Sequence, residues 1–191
     1  MKIAIVGKGN VGSALERGLS RAGHEVEMVG NDPARARALA DAAEVVILAV
    51  PYRAIDDVAR ELGDAADGKP VIDTTNPIAS GLRLAVGFTN SAAEEIQGKL
   101  PRANVVKAFN TVFASRMDSG RAKGEQLTVL VAGDDDAAKR KVIELAESIG
   151  FDGVDAGPLE NARLLEPMAL QLIALGYGAG HGTDIGFKLA H

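Results

Sequence analysis

A chain of 191 residues is long enough for one sizeable core and short for two full domains. A net charge of −5, with lysines and arginines dispersed, leaves no basic excess to neutralise nucleic-acid phosphates or grip a membrane surface. The absence of cysteine removes any disulfide framework, thiolate metal site or thiol nucleophile.

Apolar runs of strand length alternate with helical patterns along the chain. Residues 3–6 read as a buried strand, 11–22 as a helix, 26–29 as a strand and 33–43 as a helix. Residues 45–50, 70–74, 105–109 and 127–132 read as further strands. Residues 54–62 and 137–149 read as helices, the latter clearly amphipathic. The strands are continuous apolar runs, as expected where helices cover both faces of a parallel sheet. The pattern predicts an α/β fold, a Rossmann-type doubly wound parallel sheet with right-handed crossovers. Asp32 before Pro33 fits a helix N-cap followed by the first helical residue. Ser91 with Glu94 fits a capping box opening a helix that runs to Leu100. From residue 157 the pattern changes to a long apolar helix over 159–175, interrupted by Pro167, and then a glycine-rich tail. The expected division is therefore a dinucleotide-binding domain over 1–156 and a helical segment over 157–191 that completes the active site. No stretch approaches the roughly 20 apolar residues of a membrane span, and the opening run is too short for a signal-peptide core. The expected location is cytoplasmic.

Gly7-Lys8-Gly9-Asn10-Val11-Gly12 follows a strand, opens a helix and lies inside a βαβ unit. That context turns a weak G-x-G-x-x-G pattern into a specific dinucleotide signal. Gly7 permits the tight turn, Gly9 lets a pyrophosphate approach the backbone, and Gly12 brings helix and strand together. Free N–H groups of Asn10 and Val11 and the helix dipole then meet the phosphate charge. The end of the second strand reads Val29-Gly30-Asn31-Asp32-Pro33. An acidic residue there accepts from the 2′-hydroxyl of NAD, whereas a nearby arginine suits the 2′-phosphate of NADP. Asn31, Asp32 and Arg35 are the candidates, and both NADP and NAD stay open, since Asp32 serves equally as a helix cap.

Ligands in such sheets lie beyond the carboxyl ends of the strands. Those ends supply Ala49, Val50 and Pro51, then Asn76, then Ala108, Phe109 and Asn110. Small residues and two amides suit a flat nicotinamide ring with its carboxamide. Asn76 precedes a proline and is pushed out of helical geometry. The histidines offer little chemistry: His24 opens a strand, His181 lies in the glycine tail and His191 is the last residue. Neither a metal cluster nor a Ser-His-Asp arrangement is present, and no catalytic acid or base stands out. A hydroxy-acid dehydrogenase needs one for its hydroxyl proton; exchange of hydride between two redox cofactors has no equivalent need.

Several runs together resemble a known family. They are Gly7-Lys8-Gly9-Asn10-Val11-Gly12-Ser13-Ala14-Leu15, Val105-Val106-Lys107-Ala108-Phe109-Asn110-Thr111, Ala132-Gly133-Asp134-Asp135, Asp155-Ala156-Gly157-Pro158-Leu159 and Asn161-Ala162-Arg163-Leu164-Leu165-Glu166. With Ile185-Gly186-Phe187-Lys188 they are similar to the NADPH-dependent reductases of coenzyme F420, a deazaflavin, over essentially the whole chain. The Lys-Ala-Phe-Asn run is also similar to the cytosolic reductase domain of metal-reducing membrane proteins. The resemblance implies NADPH laid along the glycine turn and F420, or a flavin, docked near residues 109–112 and the C-terminal segment. It also implies a homodimer. Where that family carries Ser-Arg, this chain has Gly30 and Asn31. The expected partners are small redox cofactors, with no nucleic acid and no membrane. The expected function is an NAD(P)H-dependent oxidoreductase passing hydride between nicotinamide and a flavin-like acceptor. The alternatives are a dinucleotide-binding redox sensor without turnover, a reductase of flavin, quinone or metal chelate, and, ranked last, a small-substrate dehydrogenase.

Overall fold

The computed structural model describes residues 1–190; His191 lies outside the described residues. Seven strands form the central sheet: β1 (Lys2–Val6), β2 (Glu25–Val29), β3 (Val45–Leu48), β4 (Pro70–Asp73), β5 (Asn104–Lys107), β6 (Thr128–Gly133) and β7 (Asp152–Asp155). Their spatial order is β7-β6-β5-β4-β3-β1-β2. The helices are α1 (Asn10–Arg21), α2 (Pro33–Ala42), α3 (Ile55–Leu62), α4 (Ala92–Lys99), α5 (Asp136–Ser148) and α6 (Ala162–Ile173).

Alternate residues of each strand feed opposite faces, because side chains along a strand alternate. Ile3 and Ile5 of β1, Ile47 of β3 and Ile72 of β4 join Leu15 and Leu19 of α1 and Val142 and Leu145 of α5 in one core. Val6, Val46, Leu48 and Val71 point the other way, onto Ala36 and Ala40 of α2, Ile55 and Leu62 of α3, and Ile96 of α4. The sheet is covered on both sides, which is why its strands read as unbroken apolar runs.

Five strands are parallel, and the expectation of a wholly parallel sheet needs one correction. β6 runs antiparallel to β5, with Ala132 opposite Lys107 and Gly133 opposite Val106, and β7 pairs parallel to β6. A parallel neighbour needs a crossover, usually a helix. Residues 108–127 contain only a short 3₁₀ turn (Ala114–Arg116) and a two-residue hairpin, so the chain returns in the opposite sense. β7 itself has no apolar run: its residues are half-buried or exposed at the sheet edge. A second small hairpin, Ile78–Ala79 with Arg83–Leu84, follows β4.

The C-terminal segment is tied into the core. Leu159 and Ala162 belong to the cluster beneath α3 and α4. Arg163 of α6 makes a bidentate ion pair with Glu94 of α4, at 2.5 and 2.9 Å. Its guanidinium, with the Ser91 hydroxyl, holds the Glu94 carboxyl below its ordinary range. The helix continues through Pro167 instead of stopping there. The tail then returns to the start of β6, where the Phe187 carbonyl accepts from the Thr128 amide at 3.0 Å.

Beyond β5, Phe109 adopts φ +63 with its ring fully buried, edge-on to Phe151 at 5.9 Å. A bulky residue in that region is costly and persists only when its surroundings over-determine it. Phe151 is the aromatic member of that surround. Phe151→Ala is expected to lower the unfolding free energy by about 3–5 kcal/mol, measured by denaturant titration. A loss below about 1 kcal/mol would show that the cavity collapses without cost.

Candidate functional site

The glycine turn joins β1 to α1. Gly7 adopts φ +122, and its N–H donates to the Val29 carbonyl at 2.8 Å. A Cβ on Gly7 would sit 2.1 Å from the Ala49 carbonyl oxygen, and one on Gly12 would sit 2.1 Å from the Gly7 carbonyl oxygen. Both glycines are therefore demanded by the protein's own packing. Gly9 differs: a Cβ there would meet nothing within 4 Å. Gly9 also caps α1 without a side chain, leaving the first-turn amides to whatever occupies that open side. A turn closed at Gly7 and Gly12 and open at Gly9 fits a pyrophosphate, which needs close approach at the middle glycine alone.

Ala49 and Val50 back the turn: the Ala49 N–H donates to Val6 at 2.8 Å, and the Val50 side chain lies beside Gly7. Pro51 is exposed at the rim. Tyr52, next along, donates its hydroxyl to Glu95 of α4 at 2.5 Å, and burial with that carboxylate raises the phenol above its ordinary range. Asn10 is exposed, and Val11 is half-buried against the core.

At the end of β2, Asn31, Asp32 and Arg35 lie together and exposed. The Asp32 carboxylate accepts from the Arg35 N–H at 3.1 Å, capping α2. The Arg35 guanidinium pairs with Glu27 at 3.4 Å, with both side chains more than half exposed. Lys8 was not singled out from the sequence. Its aliphatic stem passes over Gly30, 3.6 Å from where a Cβ would stand.

Asn76 and Asn110 meet across the strand ends. Asn76 Nδ2 donates to the Asn110 carbonyl at 3.0 Å, and Asn110 Nδ2 donates to Asn76 Oδ1 at 3.1 Å. Ala108 is fully buried, and its N–H donates to the Asp73 carbonyl. The Phe109 ring points into the core, so only its backbone is near the strand ends.

Behind these amides lies a cluster absent from the sequence expectations. Lys107 Nζ donates to Asp73 Oδ2 at 2.8 Å, to Glu166 Oε1 at 2.8 Å and to the Thr75 carbonyl at 2.6 Å, and all three charged side chains are fully buried. Burial raises the Glu166 carboxyl above its ordinary range, against the pull of Lys107 and the Ala92 amide. The available signal was a lysine inside an apolar strand, since a buried lysine requires a partner.

A cleft of about 330 Å³ opens beside α1. It is lined by Asn10, Ser13 and Arg17 on one side, Phe113 to Ser115 on another, and Tyr177 and Thr183 of the tail. Tyr177 stands edge-on to Phe113 at 5.6 Å, and the Ser115 hydroxyl donates to the Thr183 carbonyl at 3.1 Å. His181 is exposed farther along the same tail. Among the described residues, no group of histidines and carboxylates is arranged to hold a metal ion, and no helix is long and apolar enough to cross a membrane.

A glycine turn of this shape on a doubly wound sheet defines a dinucleotide-binding α/β protein. Comparison with known proteins narrows the class. The family model "NADP oxidoreductase coenzyme F420-dependent" matches residues 2–44 and 38–77. The F420-dependent NADP reductase of Methanothermobacter marburgensis is 32% identical, over 92% of this chain and 92% of that protein. A solved structure from Arthrobacter sp. FB24, assigned provisionally as an F420-dependent NADP-reductase, superposes with a TM-score of 0.90 at 33% identity over the whole of both chains. The metalloreductase STEAP3 of Rattus norvegicus is 30% identical over 90% of this chain, which spans only 37% of that protein's length. The chain belongs to the F420-dependent NADP oxidoreductase family.

The glycine geometry separates folding from binding. Gly9→Val is expected to lower the melting temperature by no more than about 4 °C, because a Cβ there meets nothing within 4 Å and the main cost is a poorer helix N-cap. Gly12→Ala is expected to cost about 1–3 kcal/mol or more, through its clash with the Gly7 carbonyl. Thermal melts paired with calorimetric NADPH titration check both. Unchanged NADPH affinity in Gly9→Val would place the cofactor elsewhere.

Proposed function

We propose that the protein transfers hydride between NADP and the deazaflavin F420. The carrying observation is the glycine turn, closed by the protein at Gly7 and Gly12 and open at Gly9, with a ring-sized cleft beside it. The bound cofactors would supply the hydride donor and acceptor; the chain's part is to hold them in contact. Asn10 and Val11 amides at the start of α1 receive the pyrophosphate. Asn76 and Asn110 bound the nicotinamide end. The cleft between α1 and the tail takes the second ring against Phe113 and Tyr177, with Arg17, now paired with Asp118 at 3.5 Å and more than half exposed, able to turn to an anionic substituent. Among the described residues no carboxylate or histidine lines that cleft, in keeping with hydride exchange that asks no side chain for a proton. The relatives are named for reduction, which favours turnover over the redox-sensor reading. The family's names also favour NADP over NAD. The Asp32 carboxylate is engaged by α2, and Lys8, whose stem lies across Gly30, is the cation we assign to the 2′-phosphate. A homodimer would cover the outward Leu164 of α6 and the exposed Phe88 nearby in sequence to the Ile78–Leu84 hairpin.

Purified protein given NADPH and oxidised F420 is expected to reduce the deazaflavin, followed by its absorbance. Tight NADPH binding without turnover of deazaflavin, flavin or quinone would return the reading to a sensor. Wild type is expected to bind NADPH more tightly than NADH. Lys8→Ala should reduce that preference about tenfold while leaving NADH affinity unchanged. An equal loss for both cofactors would remove Lys8 from 2′-phosphate recognition.

A further inference from the structure

The polar groups at the carboxyl ends of β4 and β5 close into a circuit. Lys107 at the end of β5 holds the Thr75 carbonyl after β4 at 2.6 Å. The next residue, Asn76, exchanges amide hydrogen bonds with Asn110 at 3.0 and 3.1 Å. Asn110 Nδ2 also donates to the Leu165 carbonyl of α6 at 2.9 Å. Leu165 adjoins Glu166, whose carboxylate returns to Lys107 at 2.8 Å. Every Nδ2 in the circuit faces an oxygen, so the orientation of both asparagine amides is fixed. The one backbone outlier in the circuit, Phe109, sits between Lys107 and Asn110.

The cluster is an expensive way to hold a fold together. Its single cation faces two carboxylates, and the excess negative charge is met by the Ala92 and Ala93 amides of α4 at 3.1 and 3.4 Å. Apolar side chains of similar volume often stabilise a core as well as a buried ion pair does. What they lack is direction: only hydrogen-bonding charges pin a particular carbonyl and a particular amide at one separation.

We propose that Lys107, Asp73 and Glu166 are positioning residues for the nicotinamide half of the cofactor. They touch no ligand themselves. They hold the Asn76–Asn110 pair and the first turns of α6 as one body, so that the nicotinamide end and α6 tighten or loosen together. This rests on the dinucleotide reading above and adds a division of labour to it: the glycine turn governs the phosphate half, and the buried cluster governs the other.

The test compares NADP⁺ with 2′-phosphoadenosine diphosphoribose, the same molecule without its nicotinamide, by calorimetric titration. In Glu166→Gln, which keeps the shape and removes the charge, NADP⁺ affinity is expected to fall about tenfold while affinity for the fragment changes less than about twofold. Equal losses for both ligands, or no loss for either, would overturn the proposal. Should that variant not fold, hydrogen exchange on wild type decides the same point. NADP⁺ is expected to slow exchange in residues 74–76, 108–111 and α6, and the fragment to protect the glycine turn, the start of α1 and the end of β2 but not those segments. Equal protection of α6 by both ligands would overturn the proposal. Failure of the underlying reading looks different, because wild type would then bind neither ligand.

Discussion

The structure turns on one buried contact, the Lys107 ammonium held between Asp73 and Glu166. Each of these charges costs several kcal/mol to bury, and breaking such a pair leaves an uncompensated charge worth about 3–5 kcal/mol of stability. The chain must therefore bring β4, β5 and α6 to the same point, with the N-terminus of α4 behind them. That requirement explains why the C-terminal helix cannot hang free of the sheet. It supplies the second carboxylate, and the carbonyl next to it receives Asn110. On the same face of the sheet the strands contribute the fully buried Val71 and Val105 alongside the charges. Low surrounding polarity strengthens each hydrogen bond in the cluster and penalises any rearrangement that opens one.

The two ends of the candidate cofactor site are built on different physics. At the end of β2 the groups are exposed, and the Arg35–Glu27 pair is the kind that contributes little to stability. Those side chains can turn toward a phosphate at small cost. At the ends of β4 and β5 the groups are buried and mutually hydrogen-bonded, and they cannot turn without breaking the cluster. An adaptable adenosine end suits recognition, where affinity is what matters. A stiff nicotinamide end suits hydride transfer, where a small displacement of the reacting atoms costs far more rate than affinity.

How much of this is legible in the sequence follows the range of each interaction. The glycine turn and the Asp32 cap are local patterns with the geometry their spacing implies; of the Ser91–Glu94 capping box, the Ser91 hydroxyl accepts from the Glu94 N–H, while the Glu94 carboxylate turns to that hydroxyl and to Arg163. The central strands announce themselves as apolar runs because both faces are covered. β7 does not, since an edge strand written Asp-Gly-Val-Asp has no such run. The reversal of β6 is equally silent, because nothing within β6 records how residues 108–127 return to it. Phe109 shows a subtler limit. Its aromatic character suggests a wall for a flat ring, yet a positive φ turns that ring inward onto Phe151. The charged cluster joins residues 34 and 59 positions apart, so no spacing rule reaches it.

On the proposed reading, in which no side chain serves as acid or base, the burden falls on rigidity. Hydride exchange between two flat rings, as proposed, has a geometry to hold and asks no side chain for a proton. Its scaffold is better served by fixed walls than by titrating groups near the reacting atoms. Fixing a wall requires directional contacts, and directional contacts in a core mean buried polar groups. The Lys107 cluster is then the natural companion of a site whose lining is small, amide-bearing and aromatic. In the proposed arrangement charge lies one layer behind the rings, where it orients Asn76 and Asn110 without itself taking part in the chemistry.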